Sequence, residues 1–114
     1  MPRDANRLLY DIRKACEAIL HFCRSRSLDE YLGDHMLRSA CERQLEILGE
    51  AMTRLRDHHQ AIFGSMTDGP TIIAFRNRLI HGDDSVDSEI VWDVIERKVP
   101  ELERAAGRLI KPDE

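Results

Sequence analysis

Apolar residues recur every three to four positions along most of the chain, which is the spacing of amphipathic helices. Leu8, Ile12, Ala15, Cys16, Ile19, Phe22 and Cys23 predict a first helix over residues 4–24. Ser27-Leu28-Asp29-Glu30 has the spacing of a capping box and starts a short helical piece, and Gly33-Asp34 then breaks the chain. Leu37, Cys41, Leu45, Leu48, Met52 and Leu55 give a coiled-coil-like seam over 35–57, a long second helix packed antiparallel to the first. Residues 57–69 are less regular, and Thr67-Asp68-Gly69-Pro70 closes them as a turn. A third helix spans 70–81, with Pro70 in its first turn and Gly82 as a left-handed stop. Asp87, with Ser85 as rival, caps a last helix carrying Ile90, Val91, Val94, Ile95, Leu102, Ala106 and Leu109. Pro100 lies inside that helix and kinks or restarts it, and the tail from Lys111 frays. The expected fold is all-α, a single domain over 1–114 built as an antiparallel bundle of four to five helices.

The third helix breaks its own pattern. At 100° per residue, Ile72, Ile73, Leu79 and Ile80 form one stripe with Phe75 at its edge, and Arg76 falls in the middle of it. A guanidinium does not deprotonate, so on a buried face it needs an anion or several acceptors. Asn77 and His81 stand four apart on the flank of the stripe. Arg presents a planar fork of donors to phosphate, His moves protons near neutral pH, and Asn orients either one. The trio therefore suits the cleavage of a phosphodiester. It equally suits a structural role, with Arg76 paired to Glu46 or Glu50 and His81 placed favourably at a helix C-terminus.

Composition narrows the partners. The formal net charge is −4, which argues against a protein that coats nucleic acid through overall basicity. The basic residues are 14 Arg and 3 Lys, a bias toward directional phosphate contacts. Only 5% of residues are aromatic and β-branched runs are scarce, so no sheet is expected. Cys16, Cys23 and Cys41 fall on apolar helix faces and read as reduced core residues of a cytoplasmic protein. Cys16 and Cys23 are too far apart along one helix to bridge. Charges at Arg3, Asp4, Arg7 and Asp11 interrupt any signal sequence, and no stretch is apolar enough to span a membrane. No metal site is expected. Adjacent His58 and His59 point different ways and read as a solvated loop, while His21 and His35 are isolated.

Taken in order, these features resemble a HEPN domain of the HepT type, the small helical ribonuclease toxins paired with a minimal nucleotidyltransferase antitoxin. The resemblance rests on Arg76-x4-His81 with Asn77 directly after the Arg. It extends to Leu45-Glu46-Ile47-Leu48-Gly49-Glu50-Ala51 and, in the last helix, to Val91-Trp92 and Val99-Pro100-Glu101-Leu102. It implies an RNA substrate, endoribonuclease or exoribonuclease activity with no cofactor, and a composite site at a homodimer interface. Arg76 and His81 point about 140° apart on a straight helix, which two subunits reconcile more easily than one. His81 is then assigned to proton transfer, Arg76 to phosphate binding and Asn77 to support.

One position departs from the family pattern. Where that pattern has Tyr two residues after the His, this chain has Asp83. The Tyr is implied to be where the antitoxin attaches AMP, so position 83 lacks the hydroxyl acceptor. Its carboxylate either repels phosphate beside His81 or holds the imidazole. A second reading follows, from a different class: a HEPN dimer weakened by Asp83 that acts as a binding module. A third is a plain helical dimer with a structural Arg76.

Overall fold

A computed structural model describes residues 3–81 and 86–111. Seven helical segments are present among them: α1 (Arg3–Phe22), α2 (Leu28–Gly33), α3 (His35–His58), α4 (Gln60–Gly64), α5 (Gly69–Ile80), α6 (Ser88–Arg97) and α7 (Val99–Leu109). The all-α bundle is the expected one. The larger number of segments comes from the short α4, which the irregular apolar spacing of 57–69 did not predict, and from a division of the last helix.

Local chemistry sets the boundaries. Ser27 Oγ accepts from the Glu30 N–H at 3.1 Å, and Glu30 Oε1 accepts from the Ser27 N–H at 3.0 Å, completing the capping box that opens α2. Asp34 then caps α3 by accepting from the Leu37 N–H at 3.1 Å. Asp87 caps α6 through the Glu89 N–H at 2.8 Å. Pro100 falls in the first turn of α7, where its missing N–H is harmless, so the chain restarts at Val99 rather than bending through. Between α1 and α2, Ser25 adopts a left-handed φ of 61°, which reverses the chain within a few residues.

Helix α3 is the central element, packed against α1 on one side and α5 on another, while α7 lies along α1. The α1 and α3 axes are antiparallel: Asp4 meets His59 at 2.8 Å at one end, and Cys23 meets Cys41 at 3.5 Å at the other. The seam residues Leu37, Cys41, Leu45, Leu48, Met52 and Leu55 are all buried, as are Leu8, Ile12, Ala15, Cys16 and Ile19 of α1. Removal of that apolar surface from water is the main stabilisation of the bundle.

Three expectations are corrected. Ile80 and Ile90 stand on predicted apolar faces yet are exposed. His59 is not in a solvated loop: its ring is largely covered and bonds Asp4, tying the end of α3 to the start of α1. Lys111 is not frayed, since its N–H donates to Asn6 Oδ1 at 3.0 Å and its carbonyl accepts from Asn6 Nδ2. The proposed left-handed stop at Gly82 and the rival cap Ser85 lie outside the described residues.

Candidate active site

Arg76 projects from α5 toward α3, and the approach depends on Gly49. A Cβ at residue 49 would overlap Arg76 Cβ and Cγ, so only hydrogen at that position lets the arginine stem lie across α3. The guanidinium then reaches Glu50, with Nη2 donating to Oε2 at 2.6 Å, and Asn77, with Nη1 donating to Oδ1 at 3.0 Å. Its Nε–H is buried and has no hydrogen-bond partner among the described residues. Glu50 is shared, since Arg54 Nε also donates to it at 3.2 Å. The other candidate partner, Glu46, pairs instead with Arg43 at 3.4 Å.

Arg76, Glu50, Arg54, Glu46 and Arg43 line a groove of about 610 Å³ between α1, α3 and α5. Its walls carry four cations, Lys14, Arg43, Arg54 and Arg76, against three carboxylates, Asp11, Glu46 and Glu50. Ile47 and the exposed Ile80 add apolar surface. The groove therefore offers fixed donors beside an apolar rim. That suits a ligand with an anionic group, which would compete with Glu50 for Arg76.

The expected trio is only partly assembled. Arg76 and Asn77 are held together, and Glu50 joins them. His81 is exposed at the C-terminal cap of α5, where its N–H bonds the Asn77 carbonyl at 3.2 Å, and it is not among the groove walls. The imidazole is thus not among the described walls of the groove that holds Arg76. Asp83 lies outside the described residues. Among those residues no cluster of three His, Cys, Asp or Glu side chains is placed to hold a metal ion. None of the described helices is long and apolar enough to cross a membrane.

Sequence reasoning passed over Gly49, Lys14 and Arg43 as parts of this site. Gly49 did carry a signal, because a glycine in the middle of a long helix sacrifices about 1 kcal/mol of helix propensity relative to Ala. Such a residue calls for a reason, and close passage of another side chain is one.

An all-helical bundle with an arginine held beside an asparagine, and a histidine at the end of the same helix, is the arrangement expected of a helical ribonuclease. The sequence profile described as "Ribonuclease HepT-like" matches residues 12–109. The chain belongs to the HepT-like ribonuclease family. It is 30% identical to "Putative RNase MJ0127" of Methanocaldococcus jannaschii, covering 97% of this chain and 92% of that protein. It is 28% identical to "Putative RNase MJ1380" of the same organism, covering 90% and 93% respectively. It is also 28% identical to "Probable ribonuclease HepT" of Thermococcus cleftensis, covering 97% of this chain and 100% of that protein. No solved structure matches it significantly.

Proposed function

We propose that this chain is a metal-independent, RNA-cleaving toxin of the cytoplasm that acts as a homodimer and is neutralised by a minimal nucleotidyltransferase antitoxin. Ribonuclease activity accords with membership of the HepT-like family. The observation that carries the reading is the state of Arg76: its guanidinium is fixed by Glu50 and Asn77 in an open groove, with a buried Nε–H that has no partner among the described residues. In this reading Arg76 binds the scissile phosphate and neutralises charge as it builds in the transition state. Asn77 keeps the guanidinium oriented. His81 moves the proton to or from the sugar hydroxyl or leaving oxygen.

The separation of His81 from the groove favours a composite site. A two-fold axis near α5 brings two copies of the Arg76–His81 segment together, and two imidazoles then divide the roles of acid and base. The exposed Ile80, between the groove and His81, supplies apolar surface for that contact.

The test is cleavage of RNA by the purified chain in the presence of EDTA, beside His81→Ala and Arg76→Ala. Cleavage that survives the chelator and vanishes in both variants supports the reading. Absence of cleavage by the native chain, with a stable complex formed with a nucleotidyltransferase, favours the binding module weakened by Asp83. Asp83 adds a second test. The native chain gains no AMP at position 83 on incubation with a cognate nucleotidyltransferase and ATP, whereas Asp83→Tyr gains one AMP by intact mass. Asp83→Tyr also cleaves RNA at least as well, since a negative charge two residues from His81 is removed, and salt narrows the difference. A Tyr variant that cleaves much worse would show that Asp83 assists His81.

A further inference from the structure

Cys23 and Cys41 are brought together by the fold at the end of the α1–α3 pair remote from Asp4 and His59. Their Sγ atoms are 3.5 Å apart across 18 positions of sequence. Cys41 is fully buried in α3. Cys23 follows α1, still in a helical turn with its N–H on the Ile19 carbonyl at 3.0 Å, and is part-exposed. One sulfur can therefore meet a solute while the other waits behind it. The third thiol gives the contrast: Cys16 is buried, with no thiol recorded beside it, and burial pushes it up to about 12.

We propose that Cys23 and Cys41 form a redox modification site, a dithiol that closes to an intramolecular disulfide on exposure to a two-electron oxidant such as a peroxide. Cys23 is the attacking sulfur. The hydrogen bond from Cys41 holds its thiol below the ordinary range, and the same contact together with burial raises Cys41. The Cys23 thiolate attacks one peroxide oxygen, breaking the O–O bond and leaving a sulfenic acid and water once the leaving hydroxide is protonated. The Cys41 thiol then attacks the sulfenic sulfur, the S–S bond forms, and a second water leaves with the Cys41 proton. Two thiols are oxidised by two electrons and one peroxide is reduced to two waters.

A covalent S–S bond is about 2.05 Å, so the sulfurs must close by about 1.5 Å, a movement asked of the part-exposed Cys23 rather than of the buried Cys41. The bond closes a loop containing α2 and staples the start of α3 to the end of α1. Gly49 lies eight residues further along α3, about 12 Å by helix rise, so the arginine site is left as it was. In a reducing compartment the bond is transient, as expected for a sensor rather than a permanent brace.

The test uses the native chain, reduced and freed of reductant, then treated with hydrogen peroxide near one equivalent. Intact mass should fall by two hydrogens, and thiol titration under denaturing conditions should fall from three to one. Peptide mapping should join Cys23 to Cys41 and leave Cys16 free. Thermal unfolding should rise by about 10 °C, because the closed loop restricts the unfolded chain, and return on reduction. Cys41→Ser should instead stop at an oxygen adduct on Cys23. Three thiols remaining, a linkage through Cys16, a disulfide between two chains or an unchanged midpoint would each overturn the proposal. None of these readouts depends on ribonuclease activity.

Discussion

At the scale of the residue, the site turns on the meeting of Gly49 and Arg76. Gly49→Ala gains helix propensity but forces a methyl into the arginine stem, which is anchored by its own backbone and cannot swing away. Overpacking wins, and we expect a net loss of about 1–2 kcal/mol, measured by urea unfolding. Arg76→Ala is the complementary case. Its ion pair is made to a carboxylate that is 44% exposed, so water screens it and its loss costs about 1 kcal/mol or less. RNA cleavage per folded molecule should nevertheless fall to background. A sharp loss of stability with activity retained would assign Arg76 to the structure instead. His81 is exposed, so His81→Ala should leave the unfolding midpoint unchanged while abolishing cleavage.

At the scale of the element, two helix boundaries make separate predictions. Pro100 sits where its fixed φ suits the helix and its N–H is not needed, so it stabilises by restricting the unfolded chain. Pro100→Ala should cost about 0.5–1 kcal/mol without joining α6 to α7, because Val99 and Leu102 stay buried on their present face. Amide exchange at Lys98 and Val99 should remain that of a helix junction. Asp34 at the start of α3 is the pH-sensitive boundary. The Leu37 N–H, and then Arg26, hold its carboxyl below the ordinary carboxylate value. Its stabilisation is therefore complete above that ordinary value and fades as pH falls through the lowered folded one. Asp34→Asn keeps a cap but has no proton to take up, so its acid unfolding limb should be shallower than that of the native chain.

At the scale of the whole molecule, the unfinished feature is that His81 is not among the described walls of the groove around Arg76. If the site is composite, the chain is a dimer in solution with α5 near the two-fold axis. Light scattering at micromolar concentration should give twice the chain mass. Ile80→Asp, which places a charge on the exposed apolar position beside the groove, should shift the mass toward monomer and lower cleavage together. A monomeric variant that still cleaves RNA would place a complete site within one chain.

The helices themselves were legible because their information is local. The seam of α3, the Ser27–Glu30 box, the caps Asp34 and Asp87 and the break at Pro100 all depend on residues within a few positions of one another. That Arg76 needs an anion was also legible, because it is a fixed charge in the middle of an apolar stripe. What the sequence left open was long-range. It offered Arg76 two carboxylates, Glu46 and Glu50, and only the packing of α5 across Gly49 chose Glu50. It assigned His59 to solvent, because nothing near it announces Asp4, 55 positions away. It treated three cysteines as equivalent core residues, because periodicity gives the face of a helix and not the identity of the side chain opposite. The antiparallel docking of α1 on α3 made Cys23 and Cys41 neighbours and left Cys16 apart, a distinction set by the three-dimensional register of two helices and not written in either one alone.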